Sequence, residues 1–125
     1  MLLNILQNIV DEKRRLQVSD PVIKNYLKEY LQYPVLDFIY NGQEYNDFIF
    51  VGGSCLRICF DGPRLSEDLD FDLPEVSWKK FDLKAFAEKI AVIFRTKYLL
   101  PVEVKTQSDY RVYLKFPILK QLGLA

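Results

Sequence analysis

Apolar residues at Leu2, Leu3, Leu6, Ile9, Val10 and Leu16 recur at roughly helical spacing, so residues 2–16 predict an amphipathic helix whose charged stretch Asp11 to Arg15 faces solvent. Ser19-Asp20-Pro21 is a helix-start signal, a capping side chain followed by proline in the first turn. The helix that follows sets Val22, Ile23, Tyr26, Leu27 and Tyr30 against Lys24, Lys28 and Glu29. Pro34 is expected to break or kink it, leaving 35–40 as a further helical stretch that Asn41-Gly42 ends with residues tolerant of left-handed backbone.

The period then changes. Residues 47–51 form a continuous apolar run after Asp47, bounded by turn residues, and predict a buried strand. Gly52-Gly53-Ser54 makes a strand-to-helix turn, 55–60 reads as a short helix, and Asp61-Gly62-Pro63 turns the chain back. A second strand is expected over 69–73, stopped by Pro74. Residues 77–98 read as a long amphipathic helix with Phe81, Leu83, Phe86, Ile90, Ile93 and Phe94 on its buried side, closed by Pro101. Alternation over 102–106 and again over 110–116 predicts a hairpin, which Pro117 ends.

A chain of 125 residues is one domain by length and can bury a core, and no internal repeat or linker divides it. Lysine plus arginine and aspartate plus glutamate are equal at 17 each, so overall charge gives no support to a nucleic-acid partner, which would need a local patch. The chain has no histidine, which removes Ser-His-Asp and Cys-His nucleophiles and histidine-ligated zinc together. Any chemistry must run on carboxylates, lysines, hydroxyls and bound metal. Cys55 and Cys59 lie four apart in an apolar run and read as small packing residues of a cytosolic protein. The apolar start, interrupted by Asn8, Asp11 and Glu12, resembles neither a signal peptide nor a membrane span.

Two short segments carry the candidate chemistry. Glycines at 52 and 53 allow phosphate oxygens to approach backbone N–H groups at a helix start, with the Ser54 hydroxyl as a further donor; a plain tight turn would use the same residues. No Gly-Lys-Ser/Thr follows, so this is not a Walker loop. Asp68, just before the second strand, and Asp70 within it are alternate residues and so face one way in extended chain, as a metal-holding carboxylate pair must. Glu67 and Asp72, close to Arg64 and Ser66, crowd like charge into a few residues, which a cation would relieve. A phosphatase-type nucleophile would follow a hydrophobic strand directly, and an EF-hand would need its glycine and distal glutamate elsewhere, so neither applies.

Phe50 to Arg57, read as Phe-Val-Gly-Gly-Ser-Cys-Leu-Arg, followed after a short spacer by Arg-Leu-Ser-Glu-Asp-Leu-Asp-Phe, resembles the signature of AbiEii/AbiGii-type toxins of the DNA-polymerase-beta-like nucleotidyltransferase superfamily. The preceding helices and the segment 110–125 are similar to that family as well. The resemblance implies an α+β nucleotidyltransferase fold with a small mixed sheet flanked by helices, the helices over 1–46 and the catalytic core over 47–125. It also implies a nucleoside triphosphate donor, Mg²⁺, a tRNA-like acceptor and a cognate antitoxin, in a cytoplasmic toxin–antitoxin system of the abortive-infection kind. Carried over by position, Gly52, Gly53 and Ser54 would grip phosphate, Arg64 and Ser66 would assist nucleotide binding, Asp68 and Asp70 would hold metal, and Lys115 would face the triphosphate. The superfamily's third carboxylate has one strand-borne counterpart, Glu103, although the AbiEii pattern sets that acid on a strand past Ala125. On that pattern the chain is expected to be the N-terminal portion of a longer family member. Two rival readings remain: a catalytically inactive form acting by protein contact, and an antibiotic-modifying nucleotidyltransferase with a small cationic acceptor.

Overall fold

Leu2, Leu6 and Val10, spaced four apart, form the buried line of α1 (Leu2–Arg15). The computed structural model describes residues 2–42, 44–45, 47–51, 70–72, 81–108 and 111–124, with 50–51 and 70–72 described through their backbone. After α1 come α2 (Asp20–Asn41), β1 (Ile49–Val51), β2 (Asp70–Asp72), α3 (Leu83–Thr96), β3 (Glu103–Thr106) and β4 (Val112–Lys115). Strands pair as β1 with β2 and β3 with β4, both antiparallel. The class is α+β, and these two ladders are what the described residues contain of the expected mixed sheet. The short helix expected over 55–60, and the cysteines in it, lie outside the described residues.

The chain divides into two compact units, Met1–Asp20 with Asp82–Ala125, and Pro21–Phe81. In the first, Phe86, Ala87, Ile90, Ala91 and Phe94 bury one face of α3. Phe94 meets the ring of Phe116 edge-on at 4.9 Å between centroids and that of Tyr98 at 5.7 Å. The Arg95 guanidinium donates to the Val102 carbonyl at 2.7 Å, so the hairpin is tied to α3 next to both of its outer ends. Ile118, Leu122 and Leu124 complete this core from a C-terminal run of turns. Arg14 donates to the Gly123 carbonyl, and Gly123 takes φ +75°, where a Cβ would come within 3.2 Å of the same guanidinium.

The second unit centres on rings. Phe48, 6% exposed, packs edge-on against Tyr45 at 5.5 Å and Phe81 at 5.3 Å, and Tyr45 also meets Phe38 at 5.6 Å. Ile23, Leu27 and Ile39 are the buried aliphatic residues of α2 in this unit.

Four expectations change. Pro34 does not break α2, which runs as one helix from Asp20 to Asn41. Proline deletes a single backbone donor, and a helix of 22 residues keeps the rest of its ladder and its buried contacts on both sides. Val22, expected on the buried side, is 39% exposed. Gly42 ends α2 without left-handed backbone; its place there follows from crowding, since a Cβ would lie 2.8 Å from the Phe38 carbonyl oxygen. Finally, α3 is shorter than residues 77–98: Asp82 caps it by accepting from the Ala85 N–H at 3.1 Å, and Phe81 precedes it as part of the aromatic cluster. At the other end Lys97 caps it, and Leu99 at φ 55° turns the chain so that the Leu100 N–H reaches the Phe94 carbonyl at 2.9 Å, before Pro101 is reached.

Two substitutions test this account by urea denaturation. Phe94→Ala removes a fully buried ring that links α3 to the hairpin and should cost about 3–5 kcal/mol, whereas Val92→Ala on the exposed side of α3 should change stability by less than about 1 kcal/mol. Asp82→Ala strips the cap of α3 and should cost about 1 kcal/mol.

Candidate functional site

Pairing of β1 with β2 brings the two signature segments to one place. The register sets Ile49 opposite Asp72, Phe50 opposite Phe71 and Val51 opposite Asp70. In an antiparallel ladder, residues directly opposite share a face and alternate residues share it too. Positions 49, 51, 70 and 72 therefore lie on one face, and 50 and 71 on the other. Ile49, on the first face, is 54% exposed, so that face of the ladder is open to solvent at its Asp72 end.

Val51 is the last residue of β1 and Asp70 the first of β2. Because they are partners, the chain leaves β1 toward Gly52, and enters β2 from Asp68, at the same end of the ladder. Consecutive Cα atoms are about 3.8 Å apart, so Gly52 stands one residue beyond Val51 and Asp68 two residues before Asp70. Gly52, Gly53, Ser54, Arg64, Ser66 and Asp68 themselves lie outside the described residues.

β1 is held from below by the aromatic cluster. Phe48 immediately precedes it, buried, and its carbonyl accepts the Tyr40 hydroxyl at 2.8 Å. That bond fixes the strand's entry to the last turns of α2. The sequence pattern put Phe48 inside the strand; its burial and its bond to Tyr40 place it instead as the anchor on which the three-residue strand starts. Phe81, approaching from the other side of the motif, packs on the same ring.

Lys115 and Glu103 occupy the hairpin, in the other unit, and are direct cross-strand partners. Both are exposed, as is every second residue of β4. The contribution that sequence reasoning missed is Tyr40: it stands in a helical stretch, and nothing in its local pattern shows that its hydroxyl serves a strand eight residues on.

Among the described residues no group of three or more histidine, cysteine, aspartate or glutamate side chains could hold a metal ion. Among the described residues no helix is long and apolar enough to cross a membrane.

The family model for "Nucleotidyl transferase AbiEii toxin, Type IV TA system" matches residues 36–117. That span begins in α2, ends just beyond β4, and takes in every site residue named above. Neither the curated proteins nor the solved structures contain a match.

Tyr40→Phe should cost about 1 kcal/mol in urea denaturation through loss of the bond to the Phe48 carbonyl, and Phe48→Ala about 3–5 kcal/mol. A cost for Tyr40→Phe equal to that of Phe48→Ala would mean the hydroxyl does more than anchor the strand.

Proposed function

The chain belongs to the AbiEii family of nucleotidyltransferase toxins of type IV toxin–antitoxin systems, since the family match covers well over half of its residues, and on that premise we propose that it transfers a nucleotide from a Mg²⁺-bound nucleoside triphosphate to a hydroxyl of an RNA acceptor such as tRNA. The observation that supports this reading is the partnership of Val51 with Asp70, which sets the residue before Gly52 opposite one of the two candidate metal-binding carboxylates.

In this reading Gly52 and Gly53 offer backbone N–H groups to phosphate oxygens, unobstructed by side chains, and Ser54 adds its hydroxyl. Asp68 and Asp70 supply the carboxylates that hold the metal, with Arg64 and Ser66 beside them as further phosphate contacts. A Mg²⁺ ion held by Asp68 and Asp70 would supply charge neutralisation at the phosphates. A cytoplasmic setting, with a cognate antitoxin limiting the activity, completes the proposal.

The test incubates the chain with each labelled nucleoside triphosphate, Mg²⁺ and bulk cellular RNA, beside the Asp68→Ala, Asp70→Ala double variant. Loss of metal stabilisation worth several kcal/mol should reduce label transfer by roughly a thousandfold, and chelation with EDTA should do the same to the unaltered chain. Transfer that survives the double substitution would sink the metal-site assignment. Absence of binding heat and of any thermal shift with all four triphosphates would sink the nucleotide reading as a whole. Toxicity in cells that persists in the double variant would favour action by protein contact instead.

A further inference from the structure

The β3–β4 hairpin has two unlike faces. One carries Val104, Val112 and Leu114, half-buried, and leads into Phe116 against Phe94 of α3. The other follows from the register, which pairs Glu103 with Lys115 and Lys105 with Tyr113. Continued by one pair, it sets Gln107 opposite Arg111, where the Gln107 N–H reaches the Arg111 carbonyl at 3.0 Å. All six of these residues are exposed and share that second face.

Tyr113 stands at its centre. Arg111 and Lys115 flank it along the strand, each about 6.6 Å away, and Lys105 faces it across the ladder at about 5 Å between Cβ atoms. The ring is 40% exposed, and its hydroxyl donates to Gln107 Oε1 at 2.8 Å, which ties the phenol to the hairpin surface. Among the described residues, none of Lys105, Arg111 and Lys115 lies in a salt bridge. Three cations thus surround one exposed ring, and Glu103, opposite Lys115, is the one carboxylate that the described residues place on this face.

We propose that this face is a platform for a single-stranded nucleic acid, with a base stacked on Tyr113 and the flanking phosphates on Lys105, Arg111 and Lys115. Charge complementarity favours a polyanion, and the exposed ring among the cations favours one with stackable bases over an acidic peptide, for which the ring has no use. As an acceptor platform the inference rests on the nucleotidyl-transfer reading; as a binding surface it is tested separately.

The titration follows anisotropy of a labelled oligouridylate of about 12 nucleotides with the full chain carrying Asp70→Asn, without nucleotide or Mg²⁺. Between about 50 and about 200 mM salt the slope of log affinity on log salt should be near −2, for three phosphates at about 0.7 each, and should fall to about −0.7 in Lys105→Ala, Arg111→Ala. Tyr113→Ala should weaken binding by about tenfold or more, while Tyr113→Phe, which keeps the ring, should bind like the parent. Circular dichroism of these surface variants checks that each is folded. No binding at low salt, variants that bind like the parent, or equal competition by duplex RNA or polyglutamate would each overturn the platform. Oligouridylate binding without label transfer would count against the nucleotidyl-transfer reading alone, and transfer without oligouridylate binding against the platform alone.

Discussion

Backbone pairing between Val51 and Asp70 is the contact on which the candidate chemistry depends. The glycines at 52 and 53 and the carboxylate at 70 are separated by more than a dozen residues of chain, and the proposed chemistry needs both. A ladder of only three pairs would be marginal by itself, because a short two-stranded unit gains too little to offset its ordering entropy. It persists here through what adjoins it. Phe48 is buried one residue before β1, its carbonyl is engaged by Tyr40, and Phe81 packs on its ring from beyond β2. The aromatic cluster therefore closes the loop of chain that contains the motif, with Phe48 before it and Phe81 after it.

The other unit solves a related problem with different means. Its hairpin is also two-stranded, and is secured by one helix. Phe94 against Phe116 fixes the end of β4, and Arg95 to the Val102 carbonyl fixes the start of β3. Both anchors act on the same end of the hairpin, beside the Glu103–Lys115 pair. The turn end, with Gln107 and Arg111, is held by its own hydrogen bonds. This arrangement leaves one face free of packing duties, so its residues can be chosen for charge without cost to the core.

Much of this was legible in the residues. The hairpin follows from strict alternation, and the buried side of α3 from its 3.6-residue period, because each pattern reports a single local geometry. What was not legible depended on contacts distant in sequence. Pro34 reads locally as a helix breaker, yet the deletion of one donor is a small term against a long helix with buried residues on both sides. Phe81 has a fitting place in the periodic pattern of the following helix, but Asp82 caps that helix and releases the ring to Phe48 and Tyr45. Ile118, Leu122 and Leu124 have no regular period and read as a trailing end, although all three are buried. The signature itself was plain in sequence, whereas the register that joins its halves at Asp70 required the pairing to be seen.

Charge is where composition misleads most. Equal totals of 17 basic and 17 acidic residues argue against a polyanionic partner only if the charges are mixed evenly. They are not. Acidic residues gather in the segment Glu67, Asp68, Asp70 and Asp72, while three cations collect on one hairpin face. Attraction between exposed charges falls off over a Debye length of about 8 Å at physiological ionic strength, so a ligand responds to the patch it touches and scarcely to the total. Neutrality of the whole and basicity of the hairpin are therefore compatible, and in the proposed reading a divalent metal would restore local balance at the acidic segment.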